Sequence, residues 1–270
     1  MLELLGYDFM QRAILAGVAV ASVSALIGTF LVLRRISMIG EGLAHTALGG
    51  VALGLFFGVY PLAVAVPFTV AGALAMYFLG SRGRLYGDTA LAILFAGGLS
   101  LGVILLSLSD GFNTDLFSYL FGSILAVNPR DLYIMLALGG VVSVVVLVLY
   151  RPLLYITFDE ESARASGIPV EALNILLTAL TALTVVVAVQ LVGILMVSAL
   201  LVVPVATSLQ VARSFRQTLG LAVVTGIVCV LGGLMAAYYL DLAAGGSIVM
   251  GSVILFLLVT AGRYAVTKIR

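Results

Sequence analysis

Apolar runs of about twenty residues, separated by short polar punctuation, cover almost the whole chain. A helix needs about 20 apolar residues to cross a hydrocarbon layer. Nine runs meet or approach that length: 10–33, 37–58, 62–80, 89–108, 131–150, 170–190, 192–211, 217–240 and 246–262. The pattern predicts an all-α integral membrane protein of about nine transmembrane helices, in a single domain over 1–270. Gln190 and Pro204 flank or interrupt the seventh run and mark it as a broken or re-entrant helix, so an eight-helix arrangement stays open.

Two connections do not read as loops. Between 109 and 130, the stretch Leu116–Val127 is too apolar to be solvated and too short to span. It predicts a short helix dipping into the outer leaflet or packed inside the protein. Between 155 and 169, Asp159 is a helix N-cap and Glu160 and Glu161 suit the positive end of the dipole. Gly167 suits a left-handed C-terminal residue and Pro169 prevents continuation. That grammar spells a two-turn helix over 159–167, too short to be stable alone in water. Something must hold it, either the rest of the chain or a partner.

Composition agrees with the pattern. Hydrophobic residues make up 63% of the 270 and charged residues 9%, against roughly 25% charged in a soluble domain. Placement of charge sets the orientation. Arg34, Arg35, Arg82, Arg84, Arg151, Arg164, Arg213, Arg216, Arg263, Lys268 and Arg270 fall on one side, and only Arg12 and Arg130 on the other. The N-terminus is then expected outside and the C-terminus inside. Glu3 and Asp8 without a basic first segment argue against a cleaved signal peptide. The single lysine, Lys268, leaves no phosphate-binding loop of the G-x-x-x-x-G-K-[ST] type. Cys229 is alone and forms no intrachain disulfide.

Candidate chemistry is confined to one run. Glu41 and His45, the only histidine, stand four residues apart and so share one helix face. Ionisable groups are costly in hydrocarbon and by default mark a function. A carboxylate and an imidazole at this spacing form half a site for zinc, manganese or ferrous iron. Two ligands suit a path an ion must leave as well as enter, and a second copy of the chain would double them. A pair that only hydrogen-bonds within itself is the alternative. Gly42, Thr46, Gly50, Gly54 and Gly58 form a strip of small residues on the same helix, suited to close helix packing. Asp88 is expected to cap the fourth span, and Asp110, Asp115, Asp131 and Asp241 to be solvated outer charges. Ser198, Thr207, Thr178, Thr181 and Thr184 are expected to bond between helices. Nothing in the chain suggests a nucleic-acid site.

The stretch Leu33-Arg34-Arg35-Ile36-Ser37-Met38-Ile39-Gly40-Glu41-Gly42-Leu43-Ala44-His45 resembles the membrane permease of ATP-binding-cassette importers for zinc, manganese and iron. Leu120–Leu125 and Phe158–Gly167 support the resemblance, which extends over nearly the whole chain. It implies the importer-permease architecture shared with the cobalamin and siderophore permeases. It also implies a homodimer in a prokaryotic plasma membrane, two cytoplasmic ATPase subunits, and an extracytoplasmic metal-binding protein that delivers the cargo. Glu41 and His45 correspond to the family's metal contacts, although the acidic position there is more often aspartate. The loop holding Asp159, Glu160, Glu161, Ala163, Arg164 and Gly167 corresponds to the helix that couples to the ATPase. The resemblance implies no intrinsic cofactor and no catalysis by this chain. The alternatives are a proton-coupled secondary transporter, a permease for siderophore or cobalamin, and a scaffold without transport.

Overall fold

A computed structural model describes residues 7–81, 87–108, 119–123 and 127–269. Arg82, Arg84, Asp110, Asp115, Arg270 and half of the expected short helix at 116–127 lie outside that set. The described residues form α1 (Asp8–Leu33), α2 (Ile39–Phe56), α3 (Pro61–Ser81), α4 (Gly87–Leu108), α5 (Pro129–Val148), α6 (Tyr150–Phe158), α7 (Glu160–Ala165), α8 (Val170–Val192), α9 (Val197–Leu209), α10 (Phe215–Leu240) and α11 (Ala244–Ile269). The fold is all-helical. Eight of these helices are long and apolar enough to cross a membrane.

The expected seventh span is the one that falls short. Helix α8 stops at Val192, Gly193 turns with φ +85°, and α9 restarts for only 13 residues. At 1.5 Å per residue α9 rises about 20 Å, less than the roughly 30 Å hydrocarbon layer. It still runs alongside α1: Gly28 abuts Leu201, and Val32 and Leu209 pack on the same small cluster. Arg263 reaches Gln210 at 3.0 Å, so the C-terminal parts of α9 and α11 meet.

Burial sorts the spans into a centre and a jacket. In α1, α2 and α8 about three-quarters of the apolar window is buried (72%, 72% and 78%), whereas the other five spans bury only 22–33% and turn the rest outward. Helix α2 can be central because it is thin. Gly50 and Gly54 leave no room for a Cβ against α3, where one would stand 2.7 Å from Ala65 Cα and 2.6 Å from Pro61 Cα. Thr46 faces Gly72 of α3, Gly42 faces Leu91 of α4, and Gly58 ends the segment with φ +64°. A second strip, Gly49 with Gly98 and Gly102 of α4, lets α4 in from another side.

At the other end of α8 three stretches of main chain touch. Tyr119 and Leu120 carbonyls accept from the Ile194 and Leu195 N–H groups at 2.9 and 3.3 Å. A Cβ on Gly122, Gly193 or Gly245 would collide with the carbonyl oxygens of Leu191, Leu120 or Val192 respectively. Thus the described part of the 109–130 connection packs against the break in α8, with Gly122 buried and Phe121 exposed.

Several expectations change. Asp88 lies inside the first turn of α4, which starts at Gly87, and so is not its N-cap. Thr178, Thr181, Thr184 and Thr207 bond carbonyls four residues back in their own helices at 2.7–2.8 Å, rather than across helices. A threonine hydroxyl in hydrocarbon has that local carbonyl always in reach.

Candidate functional site

Glu41 sits in the first turn of α2, and His45 one turn further in. Glu41 Oε1 and His45 Nε2 are 3.5 Å apart. Two donors bonded to one ion at about 2.1 Å in a near-tetrahedral arrangement stand about 3.4 Å from each other, so this spacing suits joint ligation. The His45 side chain is 7% exposed, and its ring lies against Phe95 of α4 with centroids 4.1 Å apart. Its Nδ1 has no hydrogen-bond partner. The Glu41 side chain keeps 30% exposure, so the carboxylate is the accessible member and the imidazole lies behind it.

Ser198, at the start of α9, donates its hydroxyl to Glu41 Oε2. This contact fixes one carboxylate oxygen and leaves the other toward His45. It also puts the interrupted α8–α9 segment beside the site. Gly40 abuts Leu201 and Ser198, and so seats α2 on α9 just before Glu41. Among the described residues no group of three or more His, Cys, Asp or Glu side chains could hold an ion. One copy of the chain therefore offers two donors here.

The connection between α6 and α8 is built as its grammar foretells. Asp159 has extended backbone and its carboxylate accepts from the Ser162 N–H at 2.9 Å and from the Ser162 hydroxyl. These bonds, the hydroxyl's first, hold the Asp159 pKa below its ordinary value. Gly167 closes the segment with φ +81°, and Ile168 N–H returns to the Ala163 carbonyl at 3.1 Å. Ala163 is buried beneath the short helix while Glu161 and Arg164 are exposed. Glu160 turns inward to Arg34 at 3.0 Å. Burial lowers the Arg34 pKa, and the Glu160 charge opposes that shift.

A family model for the ABC 3 transport family matches residues 6–263. The chain is a member of the ABC 3 transport family. Among its relatives, the manganese transport system membrane protein MntC of Halalkalibacterium halodurans is 36% identical over 256 residues, covering 95% of this chain and 88% of that one. The high-affinity zinc uptake system membrane protein ZnuB of Haemophilus influenzae is 36% identical over 253 residues, covering 93% and 97%. The solved structure of PsaBC from Streptococcus pneumoniae in complex with Fab superposes with TM-score 0.87 at 32% identity, covering 96% and 93%. A putative metal-chelate type ABC transporter in an inward-facing conformation, at 20% identity and TM-score 0.79, shares the fold.

Two polar features of this ABC 3 family chain escape sequence reasoning. Ser198 is expected to bond between helices with no further role, and it does bond across, from α9 to α2, but its partner is the carboxylate of the candidate site. Asp131 was expected to be a solvated outer charge, yet it is 3% exposed in the first turn of α5. It accepts from the Tyr60 hydroxyl, and Arg130 covers the Tyr60 ring at 4.2 Å. The available signal was the neighbouring polar residue Gln190, buried in a span with its carbonyl oxygen unpartnered.

Proposed function

We propose that this ABC 3 family chain is the membrane permease of a binding-protein-dependent importer of a divalent transition-metal ion, manganese or zinc before iron. Glu41 and His45 contact the ion in transit. Two copies of the chain would pair and supply four donors, which fits a site that binds and releases rather than traps. The short helix α7 docks on a cytoplasmic ATPase subunit, one for each copy, and an extracytoplasmic binding protein loads the path. The absence of a phosphate-binding loop agrees with hydrolysis by a separate subunit.

The observation that carries this reading is the Glu41–His45 pair, 3.5 Å apart on a central helix, with one partly accessible carboxylate. Relatives named for manganese and zinc transport support the cargo class. The deciding experiment reconstitutes the chain with its ATPase and binding protein in vesicles. ATP-dependent uptake of manganese(II), zinc(II) and iron(II) is then measured for wild type, Glu41→Ala and His45→Ala. Uptake lost in both variants, with assembly intact, is the expected result. Normal uptake by both removes the assigned site. Uptake driven by a pH gradient with no ATPase present would favour the proton-coupled alternative.

A further inference from the structure

Helix α7 is six residues long, but it is fastened from the side. Glu160 Oε2 receives Arg34 Nη2 at 3.0 Å. Arg34 Nη1 donates to Asn174 Oδ1 at 2.7 Å, and Asn174 Nδ2 reaches back to Glu160 Oε1 at 3.4 Å. Three elements thus close a triangle: the turn after α1, helix α7 and the first turns of α8. The Arg34 side chain is only 15% exposed, whereas Arg164, the other partner of Glu160, is 66% exposed. Water screens the second pair much more than the first. A guanidinium is the side chain that can hold a carboxylate and an amide at once through separate nitrogens.

Arg34 also belongs to the turn that leads into Glu41. That turn has little slack. Arg34 N–H bonds the Phe30 carbonyl at 3.0 Å, Ile36 N–H bonds Leu31 at 3.0 Å, and Glu41 N–H bonds Met38 at 3.1 Å. Beside it lies a cavity of about 310 Å³, lined by Arg34, Met38, Met76, Tyr77 and Asn174 among others. The turn is therefore tied on one side and has free space on the other.

We propose that Arg34 is a positioning residue that ties α7 to the turn carrying Glu41, so that displacement of α7 by a partner subunit is delivered to the metal-contact helix. This rests on the permease reading above. Arg34 touches no cargo; it acts through Glu160 and Asn174.

The test uses the full complex in vesicles, with manganese(II) or zinc(II) as the probe. Arg34→Ala is expected to lower metal ions moved per ATP hydrolysed by about ten-fold, with hydrolysis and ATPase binding retained, as loss of a coupling contact should. The exchange Arg34→Glu with Glu160→Arg should recover more of that ratio than either change alone. Arg34→Lys, which keeps the charge and loses the fork, should fall between wild type and Arg34→Ala, and it serves if the alanine variant does not accumulate. A wild-type ratio in both Arg34→Ala and Arg34→Lys overturns the proposal. A second readout is independent of cargo. Spin labels at Met38→Cys and Ala165→Cys, with Cys229→Ala, report the separation of the turn and α7. It should hold through nucleotide binding in the otherwise native complex and spread in Arg34→Ala. A separation that changes by several ångströms without the Arg34 substitution sinks the tie, whatever is transported. Absence of metal-dependent activity with that separation held would instead count against the permease reading.

Discussion

At the scale of single residues, the site is a carboxylate with one oxygen spoken for. Ser198 supplies that constraint from another helix, so the cost of removing it falls on ion contact rather than on folding. Ser198→Ala should weaken half-saturating metal uptake by about five-fold, the equivalent of about 1 kcal/mol for one hydrogen bond, with melting in detergent little changed. Uptake curves for wild type and variant check it, and identical curves would remove Ser198 from the site. Glu41 and His45 were legible because ionisable groups are rare in this chain and costly in its surroundings. Ser198 and Asp131 were not. Serines are frequent in such helices, and a hydroxyl carries no mark of which distant carboxylate it will meet. Asp131 stands at the first turn of a span, where linear counting places it in water. Tyr60, arriving from just before α3, and Gln190 of α8 enclose it.

At the scale of elements, α7 shows how local signals can be sufficient. Cap, acidic first turn, left-handed glycine and proline all lie within eleven residues, 159–169, and none depends on a distant contact. Asp159→Ala should speed amide exchange at 160–165 at neutral pH, read by mass spectrometry, while the long spans keep their protection. The pH dependence has a definite sign. The folded-state pKa of Asp159 is lowered from its ordinary 3.8, so the capping contribution is complete above that value. It is lost as pH falls through the lowered pKa, and the native and Asp159→Ala proteins should then exchange alike at 160–165. Helix α2 shows the opposite case. Its glycine strip was readable as a packing surface, but which glycines meet which helix was not. A methyl on Gly98 would lie 2.7 Å from both the His45 carbonyl oxygen and Thr46 Cα, whereas one on Gly97 meets nothing within 4 Å. Gly98→Ala should cost about 1–3 kcal/mol by overpacking and disturb the site, and Gly97→Ala should be tolerated. Thermal stability in detergent, measured side by side, separates them.

At the scale of the whole molecule, three buried helices stand inside a jacket of five, and the site lies on the central α2 next to the short α9. The number and order of spans were legible because hydrocarbon thickness imposes one length on every crossing. The seventh run, marked by Gln190 and Pro204 as broken or re-entrant, is the one that does not span, which leaves the eight-helix arrangement. Hydropathy does not register Gly193, where the helix stops and turns, because the residues on both sides remain apolar. One face of α9 stays partly open, and Leu195, in the turn that leads into it, is 42% exposed. If two copies meet across that face, Leu195→Cys should cross-link to its twin with a short bifunctional maleimide. Val144→Cys, on the outward face of α5 and 60% exposed, should not. Gel mobility of the cross-linked product decides, and the reverse pattern would move the pathway elsewhere.

The seam at Gly122, Gly193 and Gly245 has a consequence for how this protein can drift over generations. Where peptide planes rest on peptide planes, no side chain remains to be trimmed, and every substitution adds bulk. Variation there runs in one direction only, toward prising the strands of backbone apart. Contacts made by side chains, such as Glu41 with Ser198, can be lengthened or shortened by a methylene and retuned. Adaptation to a new cargo therefore has room at the carboxylate and almost none at the glycines.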